Sequence, residues 1–391
     1  MIERTRIRIW KTTYSVIRVL FGWLFKRISG FHSGHTKISS RTFLLLGNHN
    51  NDLDWAFPVI DTRRHMRFVA SANILEGFKG RIINFLVGPI PRKKGAPAEE
   101  TTKQIYESLS QGISVAIYPE GNKSWDGRTG YISPRNAEIV KKSGCGLVTY
   151  RIDGGYLRSP RWSNEVRKGP VFGAVVREYT PEELENMTEE QVYEAIKRDL
   201  YTDAAVFAKE HQYRYPGKQL SKHLESVLYI CPKCRRISTI TSRADSFSCS
   251  CGLQGRMNEY GLLESLTDEP LPFDNTASWN VWQREYLLEN REELLETETP
   301  FFSDLHASLF RTEGDKKTLL SEDCSVVFFA DRIEAGKQIF PLGSIKRISV
   351  FRNRRLFFTT DDGYYELRFP ETVSGLKYEA LWRVLTGKAY L

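Results

Sequence analysis

Phe43-Leu44-Leu45-Leu46-Gly47-Asn48-His49-Asn50-Asn51-Asp52-Leu53-Asp54 joins an apolar run to a polar segment. The apolar run predicts a buried strand, and the polar residues after it predict a turn at its end. The turn can bring the carboxylate of Asp54 back to the imidazole of His49. A carboxylate there fixes the tautomer and stabilises the imidazolium, so the other ring nitrogen can take a proton from a hydroxyl. The same spacing is also typical of a solvated turn after a strand.

A second polar segment also follows an apolar strand. Ile113–Tyr118 alternates in a way that predicts a strand, and Pro119-Glu120-Gly121-Asn122-Lys123-Ser124 follows as a turn. Gly121 would let the backbone come close to a ligand, and Lys123 would supply a positive charge for a phosphate.

A third segment, Gly88-Pro89-Ile90-Pro91-Arg92-Lys93-Lys94-Gly95, carries three consecutive cations between residues that stiffen the backbone. Taken alone, it is as typical of a solvated basic loop as of a functional segment.

In this order, the three segments resemble the glycerolipid acyltransferase family, which makes phosphatidic acid from lysophosphatidic acid. His49 and Asp54 match the family's N-H-x4-D motif, and the resemblance implies a general base and its orienting partner. Arg92 falls where the family has an arginine that binds the acceptor phosphate. The resemblance covers roughly residues 40 to 210, and it implies an acyl thioester donor, acyl-CoA or acyl carrier protein, and a lysophospholipid acceptor.

The second segment, YPEGNKS, stands where the family usually has FPEGTRS. The resemblance therefore implies that Glu120, Gly121, Asn122 and Lys123 bind substrate, although the last two depart from threonine and arginine. Lysine keeps the charge but loses the bidentate fork, which affects the acceptor preference more than the chemistry. A strand predicted over Leu147–Ile152 has Thr149 where the family usually has proline.

The composition predicts a folded chain that binds an anionic surface. The chain has 391 residues, enough for two or three domains, and 41% hydrophobic with 27% charged residues excludes wholesale disorder. The net charge of the chain is +8, and the positive charge is concentrated at one end. The first fifty residues contain nine Lys or Arg but only one acid, Glu3. Such a basic end suits bilayer headgroups or nucleic acid.

The segment Tyr14–Phe31 favours the bilayer. It is strongly apolar, but Arg18, Lys26 and Arg27 interrupt it, and it has no uncharged run near the roughly 20 residues that span a membrane. It predicts an amphipathic helix in the membrane interface; the alternative is a helix that packs its apolar side on the catalytic domain. No signal-peptide cleavage site follows it. We therefore expect a cytoplasmic protein, peripheral on the inner face of the cell membrane, and no nucleic-acid partner.

Four of the six cysteines form two pairs, Cys231 with Cys234 and Cys249 with Cys251. This spacing predicts a closed, structural zinc site in a ribbon that could hardly fold without metal. Two disulfides are the alternative, which a reducing compartment disfavours. Because no histidine lies among the cysteines, we expect no catalytic metal and no cofactor for catalysis.

The order of elements predicts an α/β class with a mainly parallel sheet in an acyltransferase domain over residues 1–215. A helical pattern from Pro181 to Lys209, with Thr180 as N-cap, closes this domain. A zinc ribbon is expected over 223–264, a linker helix over 276–297, and a β-rich domain over 300–391 that ends in the helix Ser374–Leu385. The last domain resembles a pleckstrin-homology domain.

The predicted function is an O-acyltransferase that acylates the free hydroxyl of lysophosphatidic acid, giving phosphatidic acid in phospholipid biosynthesis. Acceptors such as glycerol-3-phosphate, another lysolipid or a glycolipid are alternatives. A rival from another class is a non-catalytic membrane or nucleic-acid adaptor built on the zinc ribbon. No G-x-S-x-G motif is present, so we expect no covalent acyl-enzyme.

Overall fold

The computed structural model describes residues 4–94, 97–313 and 316–388. These residues divide into two compact units. The first unit contains the chain up to Lys93, then Pro97–Pro160 and Arg167–Tyr213. The second contains Lys94, Arg161–Val166 and the residues from Arg214 onward.

The first unit is built on a seven-stranded sheet in the order β1-β7-β6-β2-β5-β3-β4. Its strands are β1 (Phe31–Ser33), β2 (Phe43–Gly47), β3 (Met66–Ser71), β4 (Ile90–Arg92), β5 (Ser114–Ile117), β6 (Gly146–Asp153) and β7 (Val171–Tyr179). Its helices are α1 (Arg4–Ser29), α2 (Ala56–Thr62), α3 (Gly77–Val87), α4 (Glu99–Ser110), α5 (Arg135–Ser143), α6 (Gly155–Arg158), α7 (Pro181–Asn186), α8 (Glu189–Leu200) and α9 (Ala204–His211). All strand pairs are parallel except β6 with β7, which confirms the predicted α/β class.

The sheet separates two apolar cores because side chains alternate along each strand. Leu44 and Leu46 of β2 pack in one core, with helices α4, α5 and α8. Phe43 and Leu45 pack in the other, with α2. All five residues of β2 are buried, as expected for a central parallel strand that is covered on both faces.

The helical pattern predicted from Pro181 to Lys209 is three helices, α7 to α9. Thr180 caps α7 in a capping box with Glu183, which confirms the predicted start. Thr188 caps α8 in the same way, and Asp203 caps α9 through two backbone N–H groups. A cap needs an extended backbone, so Thr188 and Asp203 each end the helical pattern before them.

Helix α1 is longer than predicted and exposes most of its apolar residues. Trp10 and Tyr14 are buried, and the indole N–H of Trp10 donates to the carbonyl oxygen of Phe85 in α3 at 3.0 Å. The large apolar residues that α1 exposes are Val16, Ile17, Val19, Leu20, Phe21, Trp23, Leu24 and Ile28. Those of α3 are Phe78, Ile82, Ile83, Phe85 and Leu86. Within the described residues, no helix has the length and apolar character needed to cross a membrane.

The second unit begins with a four-stranded antiparallel sheet in the order β11-β10-β9-β8, followed by two helices. The strands are β8 (Ile240–Arg243), β9 (Ser246–Cys249), β10 (Gln254–Met257) and β11 (Leu263–Ser265). The helices are α10 (Thr276–Glu289) and α11 (Arg291–Leu295), so the predicted linker helix is two helices.

A seven-stranded antiparallel sheet and a final helix complete this unit, which confirms the predicted β-rich end of the chain. The elements are β12 (Phe302–Glu313), β13 (Lys316–Phe328), β14 (Arg332–Ala335), β15 (Gln338–Pro341), β16 (Arg347–Phe351), β17 (Arg355–Thr359), β18 (Tyr364–Arg368) and α12 (Gly375–Leu385). Glu366 of β18 is buried in the sheet face and pairs with three cations, Lys317, Arg355 and Arg368.

The segment Arg161–Val166 is embedded in the second unit. The Arg161 guanidinium donates to the carbonyl oxygens of Val350 and Arg352, which flank the end of β16. Trp162 is fully buried, and its carbonyl oxygen accepts from the side-chain amide of Asn353 at 3.0 Å. This short segment therefore folds with residues almost 200 positions further along the chain.

Candidate active site

The first two polar segments of the sequence meet at one edge of the sheet. Strands β2 and β5 are parallel neighbours, with Leu46 opposite Ile117, so the residues after them emerge side by side. The carboxyl edge of a parallel sheet is where such folds place their ligands. One backbone hydrogen bond ties the two segments directly, from the N–H of Ser124 to the carbonyl oxygen of His49 at 2.8 Å.

His49 and Asp54 face each other across the turn. Nδ1 of His49 lies 2.8 Å from Oδ2 of Asp54, and the same oxygen accepts the backbone N–H groups of Asn50 and Asn51 at 2.6 and 2.8 Å. Asp54 is 1% exposed, whereas the His49 side chain is 25% exposed. The buried carboxylate therefore holds one ring nitrogen, and Nε2 is the nitrogen left for chemistry.

The asparagines on either side of His49 fix the turn to strand β6. Asn48 donates its side-chain amide to the carbonyl oxygen of Ile152 and accepts the N–H of the same residue, at 2.9 and 2.7 Å. Asn50 donates to the same carbonyl oxygen at 3.0 Å. The sequence analysis gave these residues no role, although both stand next to the predicted base.

Tyr118 forms one wall of the site. Its ring stacks on the imidazole of His49, with centroids 4.8 Å apart, and its hydroxyl donates to the carbonyl oxygen of Asp54. Burial raises the pKa of Tyr118 well above its usual value, so it stays a neutral donor. Sequence reasoning placed Tyr118 only at the end of a strand, and nothing in its type or spacing indicates this contact.

Glu120 turns its carboxylate toward the backbone of the site. Oε1 accepts the N–H of His49 at 2.7 Å, and Oε2 accepts the N–H of Gly130 at 2.7 Å. Burial raises the pKa of Glu120 to about 8, although these two N–H groups act in the opposite direction. The carboxylate thus joins the first segment to the loop that follows the second.

Lys123 and Gly121 lie on the turn after Tyr118. Gly121 has φ +68°, and a Cβ added there meets no atom within 4 Å, so the glycine serves the backbone conformation. Nζ of Lys123 lies 2.9 Å from Oδ1 of Asp52, which belongs to the spacer of the H-x4-D motif. The Lys123 side chain is 15% exposed and that of Asp52 is 81% exposed. Asn122, which lies between Gly121 and Lys123 in the sequence, is half-buried.

Arg92 ends the short strand β4, at the edge of the sheet. It is paired with Ser71 of β3, which separates β4 from β5. Its guanidinium donates to the carbonyl oxygens of Lys93 and Pro97, so it stabilises the loop of its own segment. Gly95, which closed the third segment of the sequence, lies outside the described residues.

A second cluster lies in the other unit. The sulfur atoms of Cys231, Cys234, Cys249 and Cys251 all lie within 4.8 Å of one another, and none forms a disulfide. Cys231 and Cys251 are 3.6 Å apart, and Cys234 and Cys249 are 3.7 Å apart. Four thiolates about 2.3 Å from a tetrahedral zinc would lie about 3.8 Å apart. The cluster therefore fits a structural zinc ion.

Residues 29–153, about a third of the chain, match the family model described as Acyltransferase, so this region is an acyltransferase domain. Among solved structures, the chain is similar to the 1-acyl-sn-glycerophosphate (LPA) acyltransferase PlsC from Thermotoga maritima. The two are 18% identical with a TM-score of 0.42, over 56% of this chain and 86% of that one. The chain is also similar to the N-terminal PH domain of human ARAP2, at 15% identity and a TM-score of 0.17, over 22% of this chain and 76% of that one. No curated protein sequence matches the chain.

Proposed function

We propose that the acyltransferase domain moves a fatty acyl group from an acyl thioester to the free hydroxyl of lysophosphatidic acid, which gives phosphatidic acid. The thioester is carried by coenzyme A or an acyl carrier protein. The observation that carries the proposal is the hydrogen bond between His49 and Asp54, which leaves Nε2 of a partly exposed imidazole available.

In the proposed reaction, Nε2 of His49 takes the proton of the acceptor hydroxyl. The oxygen then attacks the thioester carbonyl carbon, the C–O bond forms, and the C–S bond breaks. The imidazolium returns its proton to the departing thiolate. Asp54 stabilises the imidazolium in between, and such general-base assistance is typically worth about 10²–10⁴-fold.

Arg92 and Lys123 are the proposed phosphate-binding residues, and Gly121 and Asn122 shape the turn beside them. We assign Glu120 a different role from the one that the resemblance implies. Because both of its oxygens accept backbone N–H groups, Glu120 is a positioning residue for His49 rather than a contact of the acceptor. Tyr118 supports the same ring by stacking.

Helix α1 is the proposed attachment to the membrane surface, and the exposed apolar side of α3 extends it. An interfacial helix combines exposed apolar residues with cations, and the first fifty residues contain nine Lys or Arg. The inner face of the cell membrane is the expected location because its anionic lipids attract such a segment.

The four cysteines would hold a structural zinc in the proposed ribbon, residues 223–264. Zinc there would supply folding energy to the ribbon and take no part in acyl transfer. The proposed pleckstrin-homology-like domain, residues 300–391, and the linker helices, residues 276–297, complete the chain.

The test is acyl transfer by the purified full chain from a labelled acyl thioester to a panel of acceptors in mixed micelles. The panel contains lysophosphatidic acid, glycerol-3-phosphate, other lysophospholipids and a glycolipid. We expect labelled phosphatidic acid from lysophosphatidic acid, and none from the His49→Ala variant. If only another acceptor is acylated, that acceptor replaces lysophosphatidic acid as the proposed substrate. If no acceptor is acylated, a non-catalytic adaptor is favoured over an enzyme.

A further inference from the structure

Asp52 lies in the proposed acceptor site, within the four-residue spacer between His49 and Asp54. The ends of that spacer are fixed because His49 and Asp54 bond to each other. Its carboxylate lies 2.9 Å from the ammonium group of Lys123, the cation proposed for the acceptor phosphate. A negative charge thus stands next to the positive charge that a phosphate would approach.

The Lys123 side chain is more buried than that of Asp52. The turn that carries it is bonded to the His49 segment through Ser124, and the Lys123 side chain is only 15% exposed. Asp52 is 81% exposed. An exposed carboxylate gives up an ion pair at small cost, so an incoming anion can displace it from Lys123.

The charge of the acceptor headgroup determines how strongly Asp52 repels it. A phosphomonoester carries about −1.5 to −2 at neutral pH, so a dianion feels about twice the repulsion from Asp52 that a monoanionic phosphodiester feels. A zwitterionic headgroup also brings an ammonium group, which Asp52 attracts. The pair of Lys123 and Asp52 therefore complements a headgroup that carries a phosphate and an amine.

We propose that Asp52 is a specificity-determining residue that lowers the preference of the site for phosphomonoester acceptors relative to zwitterionic lysophospholipids. It does so by competing with the acceptor phosphate for Lys123. This inference rests on the proposed function, since it concerns the acceptor of the same reaction.

The test compares kcat/KM for lysophosphatidic acid and for lysophosphatidylethanolamine with the same acyl chain. Asp52→Asn should raise the ratio of the first to the second about two- to fivefold, the size expected for an exposed ion pair, through a lower KM for lysophosphatidic acid. Asp52→Glu, which keeps the charge, should retain the wild-type ratio. Glu185→Gln, which removes an exposed acid from α7, controls for the loss of one negative charge.

An unchanged or lower ratio in Asp52→Asn overturns the inference while the proposed function stands. A purely structural ion pair would instead change kcat for both acceptors alike, and that result also overturns it. If the wild type acylates neither lipid, the proposed function fails and the inference fails with it.

Discussion

The backbone N–H of His49 donates to Oε1 of Glu120, 71 residues further along the chain, at 2.7 Å. Glu120 therefore acts on the position of the imidazole through the main chain, while Asp54 acts on its ring. The structure thus suggests different roles for the two carboxylates, positioning for Glu120 and support of proton transfer for Asp54. The two sequence motifs alone do not distinguish these roles.

Replacement of Glu120 tests the positioning role. In Glu120→Gln, the side-chain NH₂ faces a backbone N–H that is only partly buried or exposed, so one donor loses its acceptor at a cost of about 1 kcal/mol of unfolding free energy. We expect kcat to fall about tenfold with little change in the acceptor KM, measured by steady-state kinetics and urea unfolding. A raised acceptor KM with an unchanged kcat would show that Glu120 binds the acceptor. Glu185→Gln, at an exposed site in α7, is the matched control.

Removal of the proposed base should abolish catalysis and leave the fold intact. We expect His49→Ala to lower kcat by about 10²–10⁴-fold. Its free energy of unfolding should fall by about 1–3 kcal/mol, because the imidazole is hydrogen-bonded to the buried carboxylate of Asp54. His306→Ala, at a histidine that is 72% exposed in the other unit, should match the wild type in both assays. Wild-type turnover by His49→Ala would rule out the base assignment.

Replacement of Arg92 tests whether this residue binds the phosphate of the acceptor. Loss of one charge-assisted contact to phosphate should raise the KM for lysophosphatidic acid about tenfold in Arg92→Ala and leave the KM for the acyl thioester unchanged. Lys103→Ala removes an exposed cation from α4 and should change neither constant. A defect confined to the thioester would contradict the phosphate role.

The cysteine cluster makes a prediction about metal content. The purified chain should contain about one zinc ion, and Cys234→Ser should lose most of it because four thiolates complete the tetrahedron. Elemental analysis and thermal unfolding of the two variants measure this. Cys324→Ser, outside the cluster, should keep its zinc and its unfolding temperature. Equal zinc contents in Cys234→Ser and Cys324→Ser would contradict the assignment of the four cysteines as a zinc site.

Glu366 predicts how the second unit responds to acid. Burial alone would raise its pKa, but hydrogen bonds from Arg355, Arg368 and Lys317 lower the pKa to about 2, against 4.5 for an ordinary glutamate. Because the folded pKa is lowered, this carboxylate stabilises the fold above about pH 4.5, and the contribution is lost as the pH falls toward 2.

Glu366→Gln tests that contribution. Removing one partner of a buried ion pair leaves the three cations without their carboxylate, so we expect a loss of about 3 kcal/mol at pH 7. The difference between variant and wild type should shrink below pH 4.5, as measured by urea unfolding at several pH values. A constant difference across that range would show that folding does not lower the pKa of Glu366.

The sequence predicted the central strands of the first unit well, because β2, β5 and β6 are apolar runs bounded by polar turns. It missed β1, β3, β4 and β7 of the same sheet, and in β1 and β4 three residues are too few for a period to be seen. The caps at Thr188 and Asp203, which divide the last helical pattern, carry ordinary signals, but the apolar period continues through them.

The site was predicted as a set of residue types rather than as a network. The spacing of His49 and Asp54 left a solvated turn open, and the resemblance to a known motif predicted their pairing, which the 2.8 Å contact shows. The contacts of Tyr118, Asn48 and Glu120 depend on how β2, β5 and β6 lie beside one another. Which strands lie side by side is a tertiary property that the apolar period of a single strand does not encode.

Asn48 and Asn50 both bind the carbonyl oxygen of Ile152, so the residue between them is anchored to the middle of a seven-stranded sheet. These bonds restrict the movement of the backbone at His49, whose Nε2 is the proposed proton acceptor, more than is usual for a polar loop. In the proposed reaction, the acceptor lipid must therefore bring its alcohol to a proton acceptor whose position is fixed, and the side chains around it must accommodate different acyl chains or headgroups.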